Sequence, residues 1–203
     1  MQLIRYCDDF IVAFESRKDA EKFLTELHKR LAKFGLEVAS EKTRLLEFGK
    51  RSWKRNQKVG TKCETFSFLG FTYYMTASRT GFSVPGHKTS KENLRRKLRD
   101  MKEWLKKVRA AAPLSEWRST LNSKLIGHYN YFGVSGNMRC LRQFFRQAQQ
   151  LLFKWLNCRS QKKSFNRTEF YDYLQRNPLP QPRIRHRLFV LKPVSLMSPL
   201  GAV

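Results

Sequence analysis

The chain reads as an α+β protein, with an antiparallel sheet and one packed helix in residues 1–86 and an all-helical region after them. Three observations predict this. Short runs of alternating apolar, β-branched and aromatic residues, bounded by turn residues, occupy the start of the chain and residues 64–74. From Ser90 onward apolar residues recur at three- and four-residue spacing, as on one face of a helix. Between the two patterns the composition changes at Pro85-Gly86-His87, which sets the domain boundary. The expected organisation is residues 1–86, 87–165 and a basic, proline-containing tail over 166–203.

A hydrophobic content of 41% over 203 residues is enough for real cores. The net charge of +25 points to a polyanionic partner, nucleic acid before a membrane surface. No apolar run is long enough to span a bilayer and no signal peptide opens the chain, so a cytoplasmic location on nucleic acid is expected. Cys7, Cys63, Cys140 and Cys158 lie far apart, which supports neither a zinc site nor a disulfide framework.

The first element is the run Leu3-Ile4-Arg5-Tyr6-Cys7-Asp8-Asp9-Phe10-Ile11-Val12-Ala13-Phe14. It predicts a hairpin whose tip presents both acids and whose arms are buried. Adjacent carboxylates repel unless a cation sits between them, and hard oxygen ligands suit Mg²⁺, so Asp8 and Asp9 are candidate metal ligands for nucleotidyl transfer. Asp-Asp is also ordinary turn chemistry. Residues 16–34 follow as an amphipathic helix with Ala20, Phe23, Leu24, Leu27, Leu31 and Phe34 inward, Ser16 and Asp19 as a capping pair and Gly35 as its stop. Residues 36–38 and 44–48 read as short strands, and the basic residues 50–62 as a mobile loop on the nucleic-acid side. Residues 64–71 form an aromatic strand ending near Gly70, which permits close backbone approach, and Tyr73 and Tyr74 continue it to a turn at Thr80-Gly81.

Three blocks in this order carry a family resemblance. Arg5-Tyr6-Cys7-Asp8-Asp9-Phe10 resembles the Tyr-x-Asp-Asp motif of reverse transcriptases, most closely its form in group II intron proteins, with Cys7 in place of the usual Ala. Gly35-Leu36 through Lys42-Thr43 resembles the Gly-Leu…Lys-Thr block of the same proteins, and Leu69-Gly70 with its flanking phenylalanines resembles their primer grip. The resemblance implies a partial polymerase palm. In it Asp8 is the metal ligand, Asp9 its acidic neighbour, and Lys42 the cation that neutralises the leaving pyrophosphate. Tyr6 and Cys7 would meet the nucleotide or primer end, and Phe68, Leu69, Gly70 and Phe71 the primer.

The second region opens with a helix capped by Thr89 or Ser90 and running to about residue 109, with a stripe of Leu94, Leu98, Met101, Leu105 and Val108 and with Trp104 beside it. Its other faces are cationic, and Lys91, Arg95, Arg96, Arg99, Lys102 and Lys106 are candidate RNA contacts. Pro113 breaks the pattern before a helix with Trp117, Leu121, Leu125 and Ile126 inward. A further helix, about residues 140–158, buries Leu141, Phe144, Phe145, Ala148, Leu152, Trp155 and Leu156. Arg142, Arg146, Arg159, Lys162 and Lys163 join the candidate RNA contacts. Residues 121–133 and 155–165 resemble the maturase-specific thumb, or domain X, of group II intron proteins. His128 in this patch reads as a structural or RNA-contacting residue. A short helix over 168–176 and the turn Asn177-Pro178-Leu179-Pro180-Gln181-Pro182 complete the pattern.

The resemblance implies the C-terminal part of a group II intron reverse transcriptase and maturase, with intron RNA and an RNA/DNA template-primer as partners. In that family a further palm aspartate and the fingers precede the acidic hairpin, so Mg²⁺ is expected only with the complete palm, and a missing N-terminal fingers/palm segment, encoded nearby or lost to truncation, is an expected partner. No residues of a His/Asn-type endonuclease are recognised, and no target-DNA cleavage is expected. The alternative is a catalytically inactive, stand-alone RNA-binding splicing factor, a maturase remnant.

Overall fold

A computed structural model describes residues 1–159 and 165–187. They form two compact units, one ending at Gly86 and the other beginning at His87.

In the first unit, β1 (Gln2–Tyr6) and β2 (Asp9–Ala13) pair antiparallel from Gln2 opposite Ala13 to Tyr6 opposite Asp9. The two-residue turn is Cys7-Asp8, with Cys7 at φ 52°. Of the two turn residues it alone takes positive φ, the pattern of a type II′ turn, whose backbone twist suits a hairpin. Helix α1 (Arg17–Ala32) follows, and the rings of Phe14 and Phe23 meet at 5.3 Å. A second sheet has the order β3 (Phe66–Phe68), β4 (Phe71–Ala77), β5 (Ser83–Thr89). Between β3 and β4, Leu69 (φ 48°) and Gly70 (φ 78°) are both left-handed, as a type I′ turn requires. Phe66 stacks on Tyr73 at 5.0 Å across this pair and meets Phe48 edge-on.

Several expectations for this unit are overturned. The arms of the acidic hairpin are not buried: every residue of β1 is exposed, Leu3 and Ile4 at 55% each, because this sheet has only two strands among the described residues. Residues 36–38 and 44–48 form no strand. Instead the chain turns at Ala39, whose carbonyl accepts from the amides of Lys42 and Thr43. Ser16 is the N-cap of α1, but its side chain makes no capping bond with the helix. Phe34 lies beyond the last helical turn and is 67% exposed, with the Arg30 guanidinium over its ring. Residues 50–62 are no loop, since Lys50–Val59 is the helix α2. Gly60 stops it in the left-handed region, and the bonds Gly60 N–H to Gln57 O and Thr61 N–H to Asn56 O make a Schellman cap. Tyr73 and Tyr74 do not continue the strand of Phe66–Phe68, since the Leu69-Gly70 turn reverses the chain into β4.

The second unit is helical: α3 (Lys91–Ala111), α4 (Leu114–Phe132), α5 (Met138–Asn157) and α6 (Arg167–Arg176). Ser90 caps α3 by accepting from the Asn93 amide. The α3 stripe is inward, with Leu94, Met101 and Leu105 buried. All seven residues expected inside α5 are buried, and α3 packs along that helix. In α4, Trp117, Leu121 and Leu125 are buried as expected, but Ile126 is 40% exposed. The inward positions beyond Leu125 are His128, Tyr129 and Phe132, each about a turn further on, which places Ile126 at the edge. The Trp117 indole donates to Val108 O at 3.1 Å, tying α4 to the end of α3. Asn166 and Glu169 form a reciprocal capping box on α6, whose Phe170 is buried and meets Phe153 at 5.0 Å. Beyond it, the amides of Arg185 and His186 donate to Gly133 O, and His186 pairs with Val134 in a parallel bridge.

Candidate nucleic-acid interface

The first hairpin places Tyr6, Cys7, Asp8 and Asp9 together at one exposed tip, with Asp9 directly opposite Tyr6. Arg5 Nε donates to Cys7 O at 2.7 Å and braces the turn. Neither aspartate has a side-chain hydrogen bond or ion pair among the described residues. Free carboxylates suit a hard cation. Yet no group of three or more His, Cys, Asp or Glu forms a potential metal site among the described residues, and two acids alone do not make the ligand set of an octahedral ion. Lys42 is exposed in the turn after Ala39, outside any strand. Phe68, Leu69, Gly70 and Phe71 form the tip of the other hairpin, with Phe71 buried and the other three half-buried. The acidic tip and this second tip thus belong to separate sheets.

The second unit carries its charge in an ordered way. At 3.6 residues per turn, Lys91, Arg95, Arg99, Lys102 and Lys106 fall within an arc of roughly 80° that runs ~22 Å along α3. All five are exposed, and none forms an ion pair among the described residues. The helix does carry acids. Glu92, Asp100 and Glu103 lie together on the adjoining face, beside Arg96 and Lys107, so the arc itself is free of negative charge. Arg96 is therefore separated from the other α3 candidates. On α5, Arg142 and Arg146 are exposed with Arg139 on one flank. Arg159 is exposed and stacks over the Trp117 ring at 5.2 Å. Arg109 over Trp155 and Lys124 over Trp104, both at 5.2 Å, are held the same way, which fixes cations at the surface without using an acid. Lys162 and Lys163 lie outside the described residues.

Beneath this surface the polar groups serve structure. His128 is buried, its ring stacked on Phe144 at 3.7 Å, and neither ring nitrogen has a hydrogen-bond partner among the described residues. Burial, with a smaller contribution from the charge of Lys97, lowers its pKa to about 4, so the imidazole is neutral near pH 7. Burial raises the Tyr129 phenol above its ordinary value. Neither group is exposed to take part in RNA contact.

One comparison bears directly on the hairpins. Residues 1–73 match the family model for reverse transcriptase (RNA-dependent DNA polymerase). The match takes in the acidic tip, Lys42, α2 and the second hairpin as far as Tyr73. Enzymes of that family act on a nucleic-acid template and use Mg²⁺. No curated protein and no solved structure matches the chain. Among the described residues, no helix is long and apolar enough to cross a membrane.

Sequence reasoning missed α2 and the polar residues that fix it, although Gly49 and Gly60 bracket the helix and Gly60 is a typical left-handed stop. It also missed the buried Asn137, for which no local pattern exists because its partner, Thr89, lies 48 residues away.

Proposed function

We propose that the chain is the C-terminal part of a group II intron reverse transcriptase and maturase that binds intron RNA and supports its splicing and mobility in the cytoplasm. The observation that carries the reading is the acid-free arc of Lys91, Arg95, Arg99, Lys102 and Lys106 on α3, in a chain whose first 73 residues match the reverse transcriptase family. A straight, unpaired row of cations follows a phosphate backbone and reads shape rather than base sequence. In the polymerase reading Asp8 and Asp9 hold part of a metal site that further palm residues of the complete enzyme fill out, and Mg²⁺ bound there would supply charge stabilisation for nucleotidyl transfer. Lys42 serves the leaving group, and residues 68–71 hold the primer.

The test is primer extension on an RNA template with the upstream segment supplied, comparing the wild type with Asp8→Ala. Loss of extension in the variant is expected, and equal activity in both would remove Asp8 from its role.

A second reading, an RNA-binding splicing factor without polymerase activity, is favoured by the same α3 arc, which needs no metal to work. It expects tighter binding to structured intron RNA than to a scrambled RNA at equal salt. Equal affinities would count against both readings.

A further inference from the structure

We infer that α2 is a second phosphate-docking face, taking the sugar-phosphate backbone of a nucleic acid on the first unit. The inference rests on the reading of the chain as a nucleic-acid-binding protein and adds a site which that reading does not include.

Helix α2 carries five cations and no acid in ten residues. At 100° per residue Lys50, Lys54, Lys58, Arg51 and Arg55 fall within roughly 140°, opposite the side occupied by Ser52, Trp53 and Asn56. Those three are the buried or half-buried positions, and every cation is exposed. Among the described residues only Arg55, at the edge of the arc, is paired, with Glu47. Lys50, Lys54 and Lys58 rise in steps of ~6 Å, more than the ~3.4 Å axial rise per phosphate of one strand, so each ammonium can meet a different phosphate.

This pattern works against the helix itself. Cations in the first turn oppose the helix dipole, and like charges four apart, as in Lys50–Lys54, Lys54–Lys58 and Arg51–Arg55, each cost about 0.2–0.5 kcal/mol. What fixes α2 is a polar knot rather than a broad apolar face. The Ser52 hydroxyl donates to Glu47 O, and the Glu47 amide donates to the Glu64 carboxylate. Asn56 Nδ2 donates to Ser52 Oγ and to Cys63 Sγ, while the Thr61 hydroxyl donates to Asn56 Oδ1. The knot directs the charged side outward. A face meant only for water is built differently, as α1 in the same unit shows. There five cations are offset by Asp19, Glu21 and Glu26, with the ion pairs Arg17–Glu21 and Lys29–Glu26. A polyanion laid on α2 relieves the repulsion and releases its own counterions.

The experiment measures affinity of the full chain for a fluorescein-labelled RNA hairpin over a series of KCl concentrations. It compares the wild type with Lys50→Gln/Lys54→Gln/Lys58→Gln on α2 and with Lys18→Gln/Lys22→Gln/Lys33→Gln on α1 and its C-cap. Both variants lose equal charge. The expected slope of log affinity against log salt falls by about 2 to 3 for the α2 variant, at ~0.7–0.9 per lost contact, and stays near the wild-type value for the α1 variant. The triple Lys50→Arg/Lys54→Arg/Lys58→Arg keeps the charge and is expected to keep the slope. A steep wild-type slope with equal changes in the α1 and α2 variants overturns this inference and leaves the α3 reading intact. So does an arginine triple that loses as much as the glutamine triple. A wild-type slope near zero overturns both.

Discussion

Asn137 and Thr89 bond in both directions across 48 residues of sequence: the Thr89 amide donates to Asn137 Oδ1 at 2.9 Å, and Asn137 Nδ2 donates to Thr89 Oγ1 at 2.8 Å. The same Nδ2 donates to Phe132 O at 2.8 Å, so within the second unit one buried side chain ties Thr89, just ahead of α3, to the end of α4 at the start of α5. Replacing it with alanine strands the Thr89 amide, at about 1–3 kcal/mol for a buried unsatisfied group, in addition to the lost bonds. Asn137→Ala is therefore expected to lower the urea midpoint strongly. The exposed Asn130→Ala should leave it nearly unchanged, and equal midpoints for the two variants would show that the Asn137 bonds add nothing.

His128 makes stability depend on pH. Its folded pKa is about 4 against 6.5 for the free side chain, so between these values the unfolded chain binds the proton and the folded chain does not. Stability is accordingly greatest above about pH 6.5, falls as the pH is lowered through the window, and levels off below about 4. The shift corresponds to a loss of roughly 3 kcal/mol. Burial also lowers the pKa of His87, which acts in the same direction. His128→Phe preserves a ring against Phe144 and removes the ionisation. Urea titrations across the window should show a shallower decline in this variant, and an unchanged decline would assign the effect elsewhere.

The α3 arc makes a prediction about position rather than total charge. Lys91→Gln/Lys102→Gln/Lys106→Gln removes three members of the acid-free arc, whereas Arg96→Gln/Lys97→Gln/Lys107→Gln removes the same charge from other faces of the helix. The first triple should reduce the salt slope for RNA by about 2 to 3, at ~0.7–0.9 per contact, and the second by much less. A titration that finds the two triples equal would mean that α3 acts as diffuse charge without an oriented face.

The helices of the second unit were legible because burial there follows one period. The seven inward residues of α5 and the stripe of α3 need no information beyond their spacing. The first unit was legible in its turns and motifs but not in its burial. Leu3, Ile4 and Phe10 have the composition of buried strands, and β propensity carries no record of whether a third strand or a covering layer lies beside them. Residues 44–48 alternate as a strand does, yet Glu47 is used to anchor α2 through Arg55 and Ser52, a tertiary demand that local pattern cannot register. Lys42 keeps its place in the motif order, but its surroundings depend on the same nonlocal packing. The separation of acids from cations on α3 was available from the spacing all along, and it appears only when charges are placed on the helical wheel rather than counted.

Cys7 gives the last prediction, because it combines the motif with backbone strain. Its φ of 52° places an L-residue with a Cβ where glycine is the ordinary occupant of the first position in a type II′ turn. The conformation costs an L-residue roughly 1–2 kcal/mol, while a glycine loses about 0.5–1 kcal/mol more entropy on folding, so Cys7→Gly should stabilise the hairpin by a few tenths to about 1 kcal/mol. No packing offsets this, since the Cys7 side chain is exposed, and the bond from Arg5 Nε goes to the backbone oxygen and survives the change. Hydrogen exchange of the amides bonded between β1 and β2 reads the effect directly, and slower exchange in Cys7→Gly is expected. Unchanged or faster exchange would mean that the turn relaxes without the strain. If exchange slows while RNA-templated extension with the upstream segment falls, the side chain at position 7 contributes to the nucleotide or primer end beyond shaping the turn.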